Sequence, residues 1–410
     1  MTMANSPVVI LGGARTPMAE WVGGKRGDGQ PGGALKDVSA LDLGAVAARG
    51  ALAKTGVPPE RIDHVVMGNA LQTSGDALYG ARHVGLKAGI PEHVPALTVN
   101  RLCGSGIQSL VSAAHIIDEG SGYVLAGGME NLSQAPHVIR GARSGFKLGQ
   151  GQLEDLFFVS LIDPYCGLLM AQTAERLASR LGITRQAQDE YALRSTQRGE
   201  KAATGGAFAE EIVPVEVKRA SKTTLVERDD HFFVNCTIEG LAKLPPAFGK
   251  DGTVTAGNAS GVVDGAACLV LASAEAAKRD GLLPVAEIVG WHVVGVDPSE
   301  MGIGPVPAIR GLLRKTGISL ADVDLFEINE AFAAQHLSVE KELRLDREKV
   351  NVNGGAIALG HPLGATGTRL VLTLGRELAA RRKTYGVASA CIGGGQGIAM
   401  LIKRWETWSH

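Results

Sequence analysis

The chain has 410 residues, of which 41 are basic and 42 acidic, so its formal net charge at neutral pH is −1. A balance this close to zero removes the electrostatic attraction that binds nucleic acids or anionic membranes, and we expect neither a nucleic-acid partner nor membrane insertion. The length predicts two or three domains with a substantial core. The 55 glycines are about twice the usual share, and their clusters beside Cys, His and Asn predict tight turns that a ligand can approach closely.

The cysteines give information about the compartment and about metals. There are five, at positions 103, 166, 236, 268 and 391, and no two of them form a CxxC pair. The odd number and the spacing argue against a disulfide framework and against a structural zinc site, so no metal is expected. No basic region followed by a long apolar run opens the sequence, and no apolar run is long enough to span a membrane. A reducing, cytoplasmic location is therefore predicted.

Short apolar strands alternate with helix-like stretches along the chain, which predicts an α/β fold with strands buried between helices. Helices are predicted over 40–56 and 307–317, and the stretch VNRLCGSG runs from an extended segment into a further helix. The interval of roughly 120–250 contains a charged helical stretch over 173–203 and a strand-like stretch over 211–218. A Gly-rich turn and a buried strand follow over 253–273.

The two ends of the chain resemble each other. KTGVPPERIDHVVMGNA (54–70) aligns without a gap to KTGISLADVDLFEINEA (315–331), a shift of 261 positions, and 122–133 resembles 385–399. A shift of 258 places Cys103 on His361, each at the start of a Gly-rich turn. Self-similarity of this kind indicates two duplicated halves. We predict a first half over 1–119 plus 251–277, an inserted loop domain over 120–250, and a second half over 278–410.

Four loops carry reactive groups that could meet, because loops at equivalent strand ends of a duplicated α/β fold converge on one site. Cys103 lies at a predicted helix start, where free N–H groups and the helix dipole favour a thiolate. His361 holds the equivalent place and could accept the thiol proton. Cys391 ends a strand among glycines whose N–H groups can bind an oxygen, and Asn329 follows an apolar strand. Two thiols, an imidazole and an amide suit acyl transfer through a thioester.

Each of these residues also has a plain structural interpretation. Cys103 could be a small buried apolar side chain, and Cys391 could simply be packed at a strand end. His361 could bond to backbone at a helix start, and Asn329 could be an N-cap or a turn residue. For the other three cysteines, at 166, 236 and 268, the structural interpretation is the only one that the sequence suggests.

Taken in order, the motifs NRLCGSG, GNASGVVDGAA, NEAFA, GGAIALGHPLGATG and CIGGGQG resemble those of the thiolase family of acetyl-CoA acyltransferases. The resemblance runs from VVILGGARTP to GIAMLIKR and covers essentially the whole chain. It implies a five-layered αβαβα fold of two similar halves with an inserted loop domain, assembled as a homodimer or homotetramer. It also implies CoA and acyl-CoA as substrates, with no permanently bound cofactor.

The resemblance implies a role for each matching residue. Cys103 would be the acylated nucleophile, His361 its activating base, and Cys391 the acid or base at the carbon of acetyl-CoA. Asn329 would hold a water in one oxyanion hole together with His361, and the N–H groups of Cys103 and Gly393 would form the other. The acyl pocket would have walls at Met301 and Phe332. The CoA tunnel would be lined by Leu161, Met170, Phe248, Ala256, Ser260 and Gly261.

At two positions the sequence departs from the family pattern. Leu169 stands where short-chain biosynthetic members usually carry a histidine, and Phe233 stands where a basic residue often contacts CoA. Neither belongs to the four reactive groups. The departures concern how tightly CoA is bound and which acyl groups fit. We therefore do not equate this protein with the acetoacetyl-CoA-specific members.

The predicted activity is that of a thiolase in fatty-acid metabolism and β-oxidation. It would cleave a β-ketoacyl-CoA with CoA into acetyl-CoA and a shortened acyl-CoA, or condense two acetyl-CoA in reverse, through an acyl-cysteine. One alternative is a decarboxylating β-ketoacyl synthase on the same fold, which usually supports its nucleophile with His-His or His-Asn. A second is a non-catalytic lipid-carrier relative, and a distant one is a Cys–His hydrolase, in which Cys391 has no evident task.

Overall fold

The computed structural model describes residues 6–219, 222–247, 249 and 251–407. The strands of these residues, in chain order, are β1 (Val8–Arg15), β2 (Ala19–Glu20), β3 (His64–Gly68), β4 (Ala96–Val99), β5 (Tyr123–Glu130), β6 (His137–Ile139), β7 (Leu153–Asp155), β8 (Ile162–Asp163), β9 (Leu168–Leu169), β10 (Val215–Arg219), β11 (Lys222–Val226), β12 (Val263–Ser273), β13 (Ala286–Gly295), β14 (Leu325–Ile328), β15 (Tyr385–Ile392) and β16 (Gln396–Arg404). The helices are α1 (Ala40–Thr55), α2 (Gly80–Lys87), α3 (Ser105–Asp118), α4 (Leu156–Ser160), α5 (Met170–Leu181), α6 (Arg185–Thr204), α7 (Ile238–Ala242), α8 (Ala274–Arg279), α9 (Pro305–Thr316), α10 (Ala333–Leu343), α11 (Ala356–Leu359) and α12 (Leu363–Ala380).

The repeated Lys-Thr-Gly motif ends a helix in each half. Helix α1 ends at Gly56 with φ 70°, and α9 ends at Gly317 with φ 72°. Both angles lie in the left-handed region, which glycine adopts without the steric cost of a Cβ atom. The helix beginnings differ, since Ser39 caps α1 by accepting the N–H of Asp42, whereas α9 begins with Pro305.

Strand order repeats between the halves and confirms the predicted duplication. The first half runs β4-β3-β5-β12-β1, and the second runs β14-β15-β16-β13. Strand β3 is parallel to β5, as β14 is to β15, and the remaining central pairs β12–β5, β1–β12, β15–β16 and β13–β16 are antiparallel. The halves join edge to edge where Val9 pairs with Glu287 and Ile10 with Ala286.

The buried apolar residues form three main clusters, and their positions define the layers. One lies between α1 and α2 and the first half of the sheet, and another between α9 and α10 and the second half. The third surrounds α3 and α12 and contacts strands of both halves. This is the predicted five-layered αβαβα arrangement, in which each strand layer has helices on both faces.

The two central helices cross very closely. A Cβ atom on Gly106 of α3 would lie 2.5 Å from the amide nitrogen of Thr368, and one on Gly367 of α12 would lie 2.3 Å from that of Ile107. No side chain fits there, so small residues are required for this approach of the two backbones. Because Cys103 precedes α3 and His361 precedes α12, the crossing brings the two equivalent turns together.

Between β5 and β12 the chain forms small sheets and helices apart from the central layers. These include the hairpins β6–β7, β8–β9 and β10–β11. The stretch over 173–203, predicted to be helical, lies in two helices, α5 and α6, which are separated at Gly182, whose φ is 64°. Arg15, fully buried at the end of β1, anchors this segment through a 2.9 Å ion pair with Glu211 and a 2.7 Å ion pair with Asp229.

One predicted domain boundary needs correction. Strand β5 lies in the central sheet between β3 and β12, so an inserted domain can begin only after Glu130 and not at residue 120. The resemblance of 122–133 to 385–399 already pointed to this correction, because the two stretches form the equivalent strands β5 and β15. The other boundaries stay predictions. Within the residues that the structure describes, no helix is both long and apolar enough to cross a membrane.

Candidate active site

A cavity of about 350 Å³ lies where loops of both halves meet the segment between β5 and β12. Its wall is mainly apolar, and it includes Leu132, Phe157 and Ile162, which sequence reasoning did not single out. The predicted residues that line it are Cys103, Leu161, Met170, Ser260, Gly261, Met301, Phe332, His361 and Gly393. An apolar cavity with few polar groups is the usual form of a small-molecule site.

Cys103 lies in a short 3-10 helix, Leu102–Gly104, directly before α3. The preceding Leu102 has φ 46°, an uncommon value for a residue with a side chain, and it turns the backbone sharply at this point. Burial raises the pKa of the Cys103 thiol to about 11, although the N–H groups of Gly393 and of Cys103 itself oppose this rise. The sequence predicts that the helix start favours a thiolate; desolvation opposes that effect and shifts the balance toward the neutral thiol.

His361 is held as a neutral base. Its Nδ1 lies 2.6 Å from Oγ1 of Thr366, whose hydroxyl donates to the carbonyl of Pro362 at 3.1 Å. The hydroxyl therefore accepts from Nδ1–H, and Nε2 carries the lone pair, which accepts from Nδ2 of Asn329 at 3.3 Å. Burial, followed by the charge of Arg369, lowers the pKa of His361 to about 3. The imidazole is thus unprotonated at neutral pH, with its lone pair on Nε2.

Asn329 follows β14 and is fully buried beside His361. Its N–H donates to the carbonyl of Ser389 at 2.9 Å, which ties the residue to the neighbouring strand β15. Among the described residues its Oδ1 has no hydrogen-bond partner. Since a buried amide normally satisfies both its ends, this free oxygen indicates a place for a water or a ligand.

Cys391, near the end of β15, is fully buried and does not itself line the cavity. It packs with Met301, Ala331, Met170 and Phe332, all of which do. Burial, and then the nearby sulfur of Cys103, raises the pKa of the Cys391 thiol well above its ordinary value. A neutral thiol near the Cys103 sulfur carries a proton that it can give up in the reaction.

Of the six residues predicted to line a CoA tunnel, four line the cavity, one does not, and one lies outside the described residues. Ser260 and Gly261 line the cavity and are fixed through their N–H groups, which donate to the carbonyls of Ala331 at 3.0 Å and Ala356 at 3.2 Å. Leu161 and Met170 line it as predicted. Ala256 is exposed and is not part of the cavity wall, because it lies in the turn before β12. Phe248 lies outside the described residues.

The two residues that depart from the family pattern are not part of the cavity wall either. Leu169 lies in β9, and its N–H donates to the side chain of Gln172 at 2.8 Å. Phe233 packs against the ring of His231, with the ring centroids 5.9 Å apart. A Cβ atom on Gly261 would lie 2.2 Å from Nε2 of the same histidine, so His231 supports the wall from behind.

Sequence reasoning missed two residues that hold this site together. Thr366 fixes the tautomer of His361. The only indication of this role in the sequence is that Thr366 follows His361 by five positions within GHPLGATG. Glu330, within NEAFA, is buried and accepts four hydrogen bonds. A buried carboxylate beside a strand end could have been suspected from NEAFA, but its partners lie far away in sequence.

A neutral imidazole and a thiol on the wall of one cavity, with backbone N–H groups on the sulfur and a second buried thiol nearby, suit a cysteine-dependent acyl-transfer enzyme. Comparison with known proteins agrees. Residues 8–275 match the family model for the thiolase N-terminal domain, and residues 282–404 match that for the thiolase C-terminal domain. The chain belongs to the thiolase family and is an acetyl-CoA acyltransferase.

Individual relatives match over nearly their whole length. The human mitochondrial 3-ketoacyl-CoA thiolase is 52% identical over 398 residues, covering 97% of this chain and 98% of the relative. The acetyl-CoA acetyltransferase of Escherichia coli K12 is 49% identical over 375 residues, covering 91% and 95%. The crystal structure of the human mitochondrial 3-ketoacyl-CoA thiolase in complex with CoA has a TM-score of 0.92 and 51% identity, with 98% of each chain covered.

Proposed function

We propose that this thiolase cleaves β-ketoacyl-CoA with CoA, and runs the reverse condensation, using Cys103 as the acylated nucleophile. One observation carries the proposal. Cys103, the neutral His361 and Gly393 line one apolar cavity, and the N–H of Gly393 donates a hydrogen bond to the Cys103 sulfur. The imidazole can remove the thiol proton that burial otherwise retains, and the N–H groups can hold a developing oxyanion.

In the cleavage direction, His361 takes the proton of Cys103, and the sulfur attacks the ketone carbon of the substrate. The N–H groups of Cys103 and Gly393 bind the resulting oxyanion. The carbon–carbon bond then breaks, and its electron pair forms the enolate of acetyl-CoA, whose oxygen is held by the protonated His361 and by a water bound to Asn329. Cys391 gives its proton to the enolate carbon, which releases acetyl-CoA and leaves an acyl thioester on Cys103.

Before the second half, the proton held by His361 passes to the Cys391 thiolate, and free CoA then gives its thiol proton to His361 and attacks the acyl thioester. Cys103 leaves as a thiolate and recovers its proton from His361. Both cysteines and the imidazole are then in their starting states. The β-ketoacyl-CoA and then free CoA use the same cavity, whose apolar wall excludes water that would hydrolyse the thioester.

We further propose that the CoA arm enters past Ser260, Gly261, Leu161 and Met170, with the acyl chain against Met301 and Phe332. Support comes from their common position on the cavity wall and from the human mitochondrial relative, whose crystal structure is a complex with CoA. Coenzyme A is then a substrate and not a resident cofactor. A role in fatty-acid degradation is supported by the 52% identity to a 3-ketoacyl-CoA thiolase.

The direct test is thiolysis of acetoacetyl-CoA and of longer β-ketoacyl-CoAs, with Cys103→Ala as the control. The expected result is CoA-dependent loss of the β-ketoacyl-CoA by the wild type and none by the variant. Turnover with malonyl donors alone would favour the decarboxylating synthase. Failure of Cys103 to form any acyl adduct in intact-protein mass spectrometry would favour a lipid carrier.

We also propose a homodimer or homotetramer located in the cytoplasm. Strand β4 ends the sheet, and Leu97 on it and Leu78 beside it are 43% and 81% exposed. An edge strand flanked by apolar side chains is normally covered in the assembled protein. All five cysteines are free, which fits a reducing compartment. Light scattering during size-exclusion chromatography tests the assembly, and fractionation of cells tests the location.

A further inference from the structure

Glu330 is fully buried immediately after Asn329, and both of its carboxylate oxygens accept two hydrogen bonds. Oε1 accepts from the hydroxyl of Tyr191 at 2.7 Å and from Nδ2 of Asn351 at 2.8 Å. Oε2 accepts from the hydroxyl of Ser195 at 2.7 Å and from the N–H of Ile357 at 3.1 Å. A buried carboxylate with every oxygen satisfied is a rigid junction.

The four donors come from different parts of the chain. Tyr191 and Ser195 lie on α6, in the segment between β5 and β12. Ile357 lies in the first turn of α11, which ends at Leu359, two residues before His361. The junction therefore connects the loop of Asn329, the approach to His361, and a helix that contributes no residue to the cavity.

The packing leaves this connection little freedom. A Cβ atom on Gly355 would lie 2.2 Å from the carboxyl carbon of Glu330, so the backbone before α11 lies against the carboxylate. The N–H of Gly355 in turn donates to the hydroxyl of Ser195 at 3.1 Å. A shift of α6 would move the hydroxyl of Ser195, and the peptide of Gly355, on which α11 starts, would move with it.

We infer that Glu330 is a positioning residue that fixes the Asn329–His361 pair, and that helix α6 sets this geometry through the hydroxyls of Tyr191 and Ser195. The inference rests on the proposed function, because it assumes that His361 and a water bound to Asn329 hold the enolate oxygen. The contact between Asn329 and His361 is 3.3 Å long, so a small displacement changes the angle at which the imidazole and that water meet the oxygen.

Two conservative variants test the inference with a matched pair. Tyr191→Phe removes one donor to Glu330 and keeps the ring that stacks on His336 at a centroid distance of 4.6 Å. Tyr123→Phe is the control, because Tyr123 is equally buried and its hydroxyl donates to the carboxylate of Asp280 at 2.6 Å, remote from the cavity. Both variants lose one hydroxyl-to-carboxylate hydrogen bond.

The kcat of Tyr191→Phe should fall about tenfold with KM for the β-ketoacyl-CoA nearly unchanged, since the loss is confined to the transition state. Tyr123→Phe should keep the kcat of the wild type, even if its melting temperature falls by as much. Ser195→Ala should lower kcat in the same way as Tyr191→Phe. The double variant should lose less than the product of the two effects, because both act on one carboxylate.

Equal kcat values for Tyr191→Phe and Tyr123→Phe would overturn the inference, as would a loss that appears in KM alone. Acylation of Cys103 by acetyl-CoA, followed by mass spectrometry, separates this outcome from failure of the proposed function. If the wild type forms the adduct and cleaves substrate while the variants match it, only the positioning role is wrong. If the wild type forms no adduct and cleaves nothing, the proposed function itself is wrong.

Discussion

Oγ1 of Thr366 lies 2.6 Å from Nδ1 of His361, and this contact decides which nitrogen of the imidazole faces the cavity. Thr366→Val keeps the shape of the side chain but removes the acceptor. The Nδ1-protonated tautomer then loses the hydrogen bond that stabilises it. The proton can instead occupy Nε2, the nitrogen that should accept the proton of Cys103. We expect kcat to fall at least about tenfold with little change in KM, as is usual when the orienting partner of a functional histidine is lost.

The same helix provides the control for this substitution. Thr373 is buried on α12, and within the described part of the chain its hydroxyl has no hydrogen-bond partner. Thr373→Val should therefore leave kcat at the wild-type value and leave stability equal or slightly higher. Equal loss of kcat in the two variants would show that the helix tolerates no valine, and that the tautomer argument is wrong.

The raised pKa of Cys103 has a direct consequence for its reactivity. Only the thiolate is alkylated, and with a pKa near 11 the thiolate is the minor form throughout the neutral range. The rate of modification by iodoacetamide should rise about tenfold for each pH unit between pH 6 and pH 9. Peptide mass spectrometry of Cys103 at short times measures it. A rate independent of pH over this range would instead indicate a thiolate paired with a protonated His361.

The two thiols should fail in different halves of the reaction. Cys391→Ala removes the group that we propose protonates carbon, but it leaves Cys103, His361 and the N–H of Gly393 in place. Acetyl-CoA should still acylate Cys103, and the acetyl group should still exchange with free CoA. Cleavage of acetoacetyl-CoA should fall at least about a thousandfold. The half-reactions are followed by mass spectrometry and by exchange of labelled CoA, and loss of acylation as well would refute this division of labour.

The close helix crossing predicts opposite effects for two glycine substitutions. Gly106→Ala places a Cβ atom 2.5 Å from the amide nitrogen of Thr368, so α3 and α12 must separate. We expect a lower melting temperature and lower kcat, because the turns of Cys103 and His361 move with the helices. Gly375→Ala on α12 meets nothing closer than 3.6 Å and should raise stability by up to about 1 kcal/mol through helix propensity. Thermal unfolding and kcat of both variants are the measurements.

Much of the architecture could be predicted because the duplication is written in local patterns. The glycines of the two Lys-Thr-Gly motifs do end equivalent helices, and the 258-residue shift does relate two turns that meet. The placement of Cys103 before a helix followed from its glycines. Such patterns predict the path of the backbone, because turn residues and apolar periodicity determine local structure over a few positions.

The electrostatic state of the site could not be predicted in this way. A helix start favours a thiolate, yet burial by both halves decides the pKa of Cys103, and burial depends on residues nearly three hundred positions away. The role of Glu330 as a junction likewise depends on α6, whose hydroxyls carry no signal in sequence. Ala256 was placed with the cavity by motif alone, whereas its turn leaves it in solvent.

The equivalence of the Cys103 and His361 turns bears on how such an enzyme can arise. Two separate copies of a half-length chain, related by a twofold axis, would necessarily present the same amino acid at both turns. Joining the copies in one polypeptide removes that identity, so one turn can provide the nucleophile and the other the base. The asymmetry on which the chemistry depends is thus a possibility that only covalent fusion opens.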